Sequence, residues 1–247
     1  MSHTWLPTSR GAVTVHQTTT ADAPASIAKD IAQRLAQAIQ DKDYAVLSVS
    51  GGKSPVALFE ALRVINIDWS RVRITLVDER CVPRIHPDSN ALLVQTHLLQ
   101  DNASKAQLVF MIPASAEPLA SADLLAVTAS AALKTAGHAD VLILGMGSDG
   151  HTASLFPHAP NLLQALSMSN PMPCVGITLT PPPANAPFAR ITQTLPQLLS
   201  AKHIVLPLSG DDKLLTLQKA WSCTTPELPI SYVLNQTHTP VHLWLSI

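Results

Sequence analysis

An α/β protein built on a largely parallel sheet is the fold class this sequence predicts. Three observations carry that reading. Apolar runs of strand length alternate along the chain with segments of helical periodicity. Runs such as Tyr44–Val49 are apolar at nearly every position, as in strands buried on both faces. Three of the runs end abruptly in polar or glycine-bearing segments, which is where open α/β sheets place their ligands.

The elements follow in chain order. Ile27, Ile31, Leu35 and Ile39 recur every fourth residue with alanines between them, predicting an amphipathic helix of about five turns. Tyr44–Val49 is a buried strand. Ser54 and Pro55 suit the N-cap and first position of a helix, with Val56, Phe59 and Leu62 on its inner face. Val72–Val77 is the next strand. Asp88-Ser89-Asn90 caps a helix carrying Leu92, Leu93 and Leu99, and an Ala/Leu-rich helix spans about Leu119–Thr135. Strands are expected at Asp140–Leu144, Val175–Leu179, Ile204–Leu208 and Val241–Leu245, with a loop at Pro181–Pro183 and a helix opening near Ser209-Gly210. No element is assigned between Pro157 and Pro173. No repeat or linker interrupts the chain, so residues 1–247 are expected to form one domain.

Composition narrows the function. The 247 residues carry a net charge of −1, 47% are hydrophobic and 13% are charged. That is too apolar for a disordered chain, and there is no basic excess to bind nucleic acid through its phosphates. The longest apolar runs fall far short of the roughly 20 residues that cross a bilayer, so no membrane partner is expected. Met1–His16 shows no secretory pattern, and the three cysteines form no CxxC pair. A reducing cytoplasm is therefore expected. The ten histidines are scattered, and the nearest pair of interest, His151 and His158, lacks a common ligand spacing. No metal site is expected.

The strand ends hold the candidate chemistry. Ser50-Gly51-Gly52-Lys53 follows the first strand and leads into a helix. Such a junction either cradles an anion on its N–H groups or is only a tight turn; a Walker loop is absent. Asp78-Glu79-Arg80 follows the second strand. It reads as a surface ion pair, or as an anion clamp from Arg80 beside an orienting carboxylate from Asp78. Gly145, Gly147 and Gly150 match a dinucleotide fingerprint formally, but no Asp or Glu lies between His151 and Gly210, and Pro157 and Pro160 interrupt the helix such a site needs. The glycines instead shape a loop presenting Asp149 and His151. A histidine, with an ordinary pKa of about 6.5, can serve there as a general base. A serine-hydrolase elbow fails, because Ser48 stands where GxSxG needs glycine. Cys81 reads as a small packed residue. Arg190 and Lys213 are cations at later strand ends, and Lys213 in the first turn of its helix is the stronger phosphate ligand.

Three segments, taken in order, resemble a known family: Ser50-Gly51-Gly52-Lys53-Ser54-Pro55; Asp78-Glu79-Arg80-Cys81-Val82-Pro83 with Ser89-Asn90; and Leu144 through Pro157, with Arg190-Ile191-Thr192 and Ser209 through Lys213 as weaker matches. Together they resemble the glucosamine-6-phosphate isomerase/6-phosphogluconolactonase superfamily over about the whole chain, on its lactonase side. Position 54 is Ser where that family often has Thr. The resemblance implies a Rossmann-like α/β fold with additional strands. It implies hydrolysis of 6-phospho-D-glucono-1,5-lactone in the pentose phosphate pathway, with neither metal nor cofactor and a phosphorylated sugar lactone as the small-molecule partner. It places His151 as base and Asp78, Arg80, Arg190 and Lys213 around the pocket. Asp149 or Asp78 would then orient His151, and backbone N–H groups or Arg80 would stabilise the oxyanion. Two other readings stay open. One is a deaminase of the same superfamily, although those continue differently after their histidine. The other is a sugar-phosphate-sensing domain, although the segment before Asp22 is too short for the DNA-binding helices that accompany one.

Overall fold

The computed structural model describes residues 5–114, 121–183 and 186–247. In chain order these hold β1 (Val13–Thr18), α1 (Ala23–Lys42), β2 (Ala45–Val49), α2 (Val56–Arg63), β3 (Val72–Leu76) and β4 (Asp78–Arg80). Next come α3 (Asn90–His97), β5 (Gln107–Leu108), α4 (Ala122–Ala136), β6 (Val141–Ile143), α5 (Leu162–Leu166) and β7 (Cys174–Ile177). The last elements are β8 (Arg190–Gln193), α6 (Leu195–Leu199), β9 (His203–Ser209), α7 (Asp211–Ser222), α8 (Ile230–Leu234) and β10 (Val241–Ser246). Seven strands form a sheet in the order β1-β10-β9-β6-β2-β3-β5, and all its pairings are parallel. β4, β8 and β7 form a small antiparallel sheet. The expected Rossmann-like α/β class with additional strands is what forms.

Both faces of the large sheet are covered, which explains the unbroken apolar runs. Ala45, Leu47 and Val49 of β2 join Val141 and Ile143 of β6 in a core against α1, α2 and α4. Val46 and Leu142, one residue out of phase, join Ile204, Leu206 and Leu208 of β9 in a second core under α5 to α8. In α1 the four-residue repeat buries Ile27, Ile31 and Leu35 completely, while Ile39 near its end is half-buried. Among the described residues no helix is long and apolar enough to cross a membrane.

Several expectations need correction. Ser54 is exposed and makes no capping bond; α2 begins at Val56 with Pro55 at the N-cap, and its buried face is Leu58, Phe59 and Leu62. The helix starts one residue later than expected, which puts the proline at the N-cap rather than at the first helical position. Ser89 does cap α3, accepting from the Leu92 N–H at 3.3 Å. Yet α3 buries Asn90, Ala91 and Val94, while Leu92 and Leu93 are half-buried and Leu99 lies beyond the helix end. The strand expected at Val175–Leu179 is Cys174–Ile177, and it pairs antiparallel in the small sheet. Leu119, the expected start of α4, lies outside the described residues; the described helix begins at Ala122, capped by Ser121. The unassigned stretch after Pro157 contains α5.

The chain changes sheets at Val77. Its N–H donates to Val49 O on the parallel side, and its carbonyl accepts from the Gln193 N–H on the antiparallel side. That switch carries Asp78, Glu79 and Arg80 across the carboxyl edge of the large sheet.

Candidate active site

A cleft of about 290 Å³ opens at this edge, over the ends of β2, β6 and β9 and beside β4 and β8. The loop after β6 forms one wall. Gly147 N–H donates to His151 O (2.9 Å) and Gly150 N–H to Gly147 O (3.0 Å), closing a tight turn. Gly150 holds φ +80°, where a side chain would be strained. A Cβ on Gly147 would lie 2.2 Å from His151 Nδ1, so glycine there makes room for the imidazole. The glycine loop therefore presents His151, as the sequence implied.

His151 lines the cleft with 29% of its side chain exposed. Its Nδ1 lies 2.6 Å from Asp149 Oδ1. An ionised carboxylate only accepts, so Nδ1 carries the hydrogen and Nε2 is left as the basic nitrogen of the neutral ring. Partial burial pushes the Asp149 carboxyl up, but the hydrogen bonds and charge of His151 outweigh it and hold the group below its ordinary value. Of the two carboxylates considered for orienting His151, Asp149 is the one in contact. The other side of the imidazole stacks on Phe156, with centroids 4.5 Å apart. Phe156 in turn lies under the Arg190 guanidinium at 5.3 Å.

Asp78 is buried on a different network. Its Oδ2 accepts from Ser154 Oγ (2.5 Å) and faces Arg190 Nη1 at 3.8 Å. Its Oδ1 accepts from Asn90 Nδ2 at 3.3 Å. Arg190 is itself buried, and that burial pushes its pKa down despite the neighbouring Asp78 carboxylate. Arg80 donates through Nη1 to Asp88 O (2.8 Å) and Asn90 Oδ1 (2.6 Å). Among the described residues, neither the buried Nε of Arg80 nor that of Arg190 has an acceptor. Lys213 enters from the first turn of α7, half-buried, with its pKa pushed down by that burial. Among the described residues no carboxylate pairs with it. The charged cleft lining, His151 apart, is thus Arg80, Arg190 and Lys213 against Asp78. Such a balance suits an anionic ligand.

The Gly-Gly segment divides. Gly51 and Gly52 line the cleft, whereas Lys53 is exposed and outside its lining. Ser50 also lines it, but its hydroxyl is engaged within the scaffold: it donates to Ile143 O (2.8 Å) and accepts from the Gly145 N–H (3.0 Å), tying the two loops together. Cys81 is packed, and burial, then the Glu79 carboxylate, push its thiol up to about 11. Among the described residues no group of three His, Cys, Asp or Glu side chains is placed to hold a metal ion.

Sequence reasoning placed Ser154, Phe156 and Asn90 within the segments that resemble the family but gave none of them a role in the site, and Asn90 only a place in a helix cap. The signal available was the dense polar text after β3, where Ser89 and Asn90 follow Asp78-Glu79-Arg80 within a dozen residues.

The chain is similar to known proteins over most of its length. Residues 18–244 match the family model described as glucosamine-6-phosphate isomerases/6-phosphogluconolactonase. A 6-phosphogluconolactonase of Neisseria meningitidis serogroup B is 39% identical over 91% of this chain and 94% of its own. One from Pseudomonas putida is 41% identical over 94% of this chain and 93% of its own. The crystal structure of a 6-phosphogluconolactonase from Shewanella baltica OS155 superposes with a TM-score of 0.85 at 36% identity, covering 94% of this chain and 97% of that one. A monomeric glucosamine-6-phosphate deaminase shares the fold, with a TM-score of 0.73 at 20% identity over 94% of this chain and 96% of its own. The chain belongs to the glucosamine-6-phosphate isomerase/6-phosphogluconolactonase family.

Proposed function

We propose that this chain is a 6-phosphogluconolactonase, hydrolysing 6-phospho-D-glucono-1,5-lactone to 6-phosphogluconate in the pentose phosphate pathway of the cytoplasm. The observation that carries the reading is the His151–Asp149 pair opening on a cleft lined by Arg80, Arg190 and Lys213. Relatives at 39–41% identity bear the same activity in their names.

A lactone is a cyclic ester. Its hydrolysis needs an activated water, a stabilised oxyanion and a protonated leaving oxygen. With Nδ1–H held by Asp149, Nε2 of His151 takes a proton from the water attacking C1. The negative charge that develops on the carbonyl oxygen is met by a cation of the cleft, for which Arg80 is our assignment. As the ring C–O bond breaks, His151 returns the proton to the departing ring oxygen. Arg190 and Lys213 hold the phosphate. The imidazolium formed midway is stabilised by Asp149, which stays ionised throughout.

Incubation with freshly prepared lactone, and separately with glucosamine 6-phosphate, tests the reading. Lactone loss well above the spontaneous rate, with no ammonia released from the amino sugar, is expected. Ammonia release without lactonase activity would replace this reading with the deaminase one.

A further inference from the structure

Asn90 is 1% exposed, at the first residue of α3, and its side-chain amide bridges the two charged ends of β4, Asp78 and Arg80. Oδ1 accepts from Arg80 Nη1 at 2.6 Å. Nδ2 donates to the backbone carbonyl of Asp78 at 2.9 Å and to its carboxylate at 3.3 Å. A primary amide offers an acceptor to a cation and a donor to an anion without adding charge. The amide is also confined sterically. A Cβ on Gly51 would lie 1.7 Å from Asn90 Oδ1, so the Gly-Gly turn keeps a glycine where the Asn90 side chain packs.

The backbone beneath is fixed by one carboxylate. Glu79, 2% exposed, accepts from the N–H of Arg80 (2.8 Å) and of Asn90 (2.7 Å) through Oε1. Through Oε2 it accepts from Ala91 N–H (2.8 Å) and Ser89 Oγ (3.0 Å). The strand bearing Arg80 and the helix bearing its acceptor are therefore bolted to the same group. The guanidinium itself is gripped through Nη1, while its buried Nε has no acceptor among the described residues.

Resting on the function proposed above, we propose that Asn90 is a positioning residue that fixes the Arg80 guanidinium toward the substrate, with Gly51 and Glu79 holding Asn90 in place. Its contribution passes through Arg80. It does not require Asn90 to touch the lactone.

A double-mutant cycle tests this. Asn90→Ala is expected to lower kcat/KM for the lactone about tenfold or more, chiefly in kcat, since a hydrogen bond to a charged group is lost. In an Arg80→Ala background the same change should cost less than about twofold. Gly51→Ala, which pushes the amide away without deleting it, should reproduce the loss, and it should add little once Asn90 is already Ala because its Cβ fills the vacated space. Equal losses with and without Arg80, or a Gly51→Ala variant with parental kinetics, would overturn the proposal. Should Asn90→Ala fail to fold, Gly51→Ala carries the cycle with Arg80→Ala. A second readout is independent of turnover: the Arg80 guanidinium nitrogens, assigned by their absence in Arg80→Ala, should show hindered rotation in NMR spectra of the parental chain and averaged signals in Gly51→Ala. A parental chain without lactonase activity would remove the function proposed above, while unchanged guanidinium spectra would remove this inference alone.

Discussion

Histidine serves two opposite ends in this molecule. His151, after the carboxyl end of β6, has a carboxylate on Nδ1. Across the β1-β10-β9 part of the sheet, His16, His242 and His203 form a row, with His16 Nε2 3.4 Å from His242 Nδ1 and His242 Nε2 3.3 Å from His203 Nδ1. Here the group facing Nδ1 is a guanidinium: Arg34 lies 3.1 Å from His203 Nδ1 and 3.5 Å from His242 Nδ1. Arginine only donates, so each of those Nδ1 atoms is an acceptor and the ring hydrogens sit on Nε2. A carboxylate neighbour welcomes the proton an imidazole takes up; a guanidinium neighbour penalises it. One arrangement makes a base that can shuttle a proton, and the other makes a neutral, hydrogen-bonded seam between α1 and the sheet.

The sharpest way to break this contrast is to delete one histidine from each region. His151→Ala is expected to lower kcat by about 10²–10⁴-fold, the usual worth of general-base assistance, with the thermal midpoint nearly unchanged. His242→Ala should leave kcat within a fewfold of the parental chain. Steady-state assays corrected for spontaneous lactone opening would decide, and a His151→Ala enzyme with near-parental kcat would refute its role as base. Asp149→Asn probes the partner rather than the ring. Losing a charge-assisted bond costs about 1.5–3 kcal/mol, or roughly ten- to a hundredfold in kcat. An Asp149→Asn enzyme with parental kcat would contradict the pairing.

A smaller effect separates chemistry from binding within the cleft. Lys213→Ala and Arg190→Ala should raise KM for the phosphorylated lactone by roughly ten- to a hundredfold, and much less for the unphosphorylated lactone. Equal losses on both substrates would remove these two residues from the phosphate site.

The two regions were unequally legible in the sequence. The β6–glycine loop–His151 segment is local, so a buried apolar run and three glycines announced it. The parallel core strands were legible for the same reason, because burial on both faces leaves an unbroken apolar run. β1 was not, since Val13–Thr18 mixes apolar with polar residues on a strand at the sheet edge. β4 is Asp-Glu-Arg, and its burial comes from hydrogen bonds that no hydrophobic pattern encodes. Partners of Asp78 lie on other elements, with Ser154 76 positions away. The histidine row unites β1, β9 and β10 with α1 and looks like scatter along the chain. Apolar periodicity is a local code; polar satisfaction is settled only when the chain has closed.

The seam also predicts the molecule's response to acid. Burial first, then the charge of Arg34, pushes the His242 pKa from 6.5 down to about 4. Burial likewise pushes His16 and His203 down. The facing charges are Asp30 and Arg34 on α1, with Lys202 and Asp140 beside His203. Asp30 favours protonation, but it is engaged by Arg34 through two 2.9 Å bonds and does not reverse the shift. A histidine with a lowered folded pKa binds its proton more readily in the unfolded chain. Its neutral form therefore supports the fold fully above pH 6.5, and that support is lost as the pH falls toward about 4. His242→Phe removes the titrating group while keeping a ring on the half-buried face. Discounted for the partial exposure of this site, the difference should be about 1–2 kcal/mol of acid-induced destabilisation absent from the variant. Urea unfolding of both proteins at a series of pH values across that interval measures it. The parental curve should fall more steeply, and identical slopes would mean that His242 takes up its proton equally in the folded and the unfolded chain, leaving no contrast with His151 to explain.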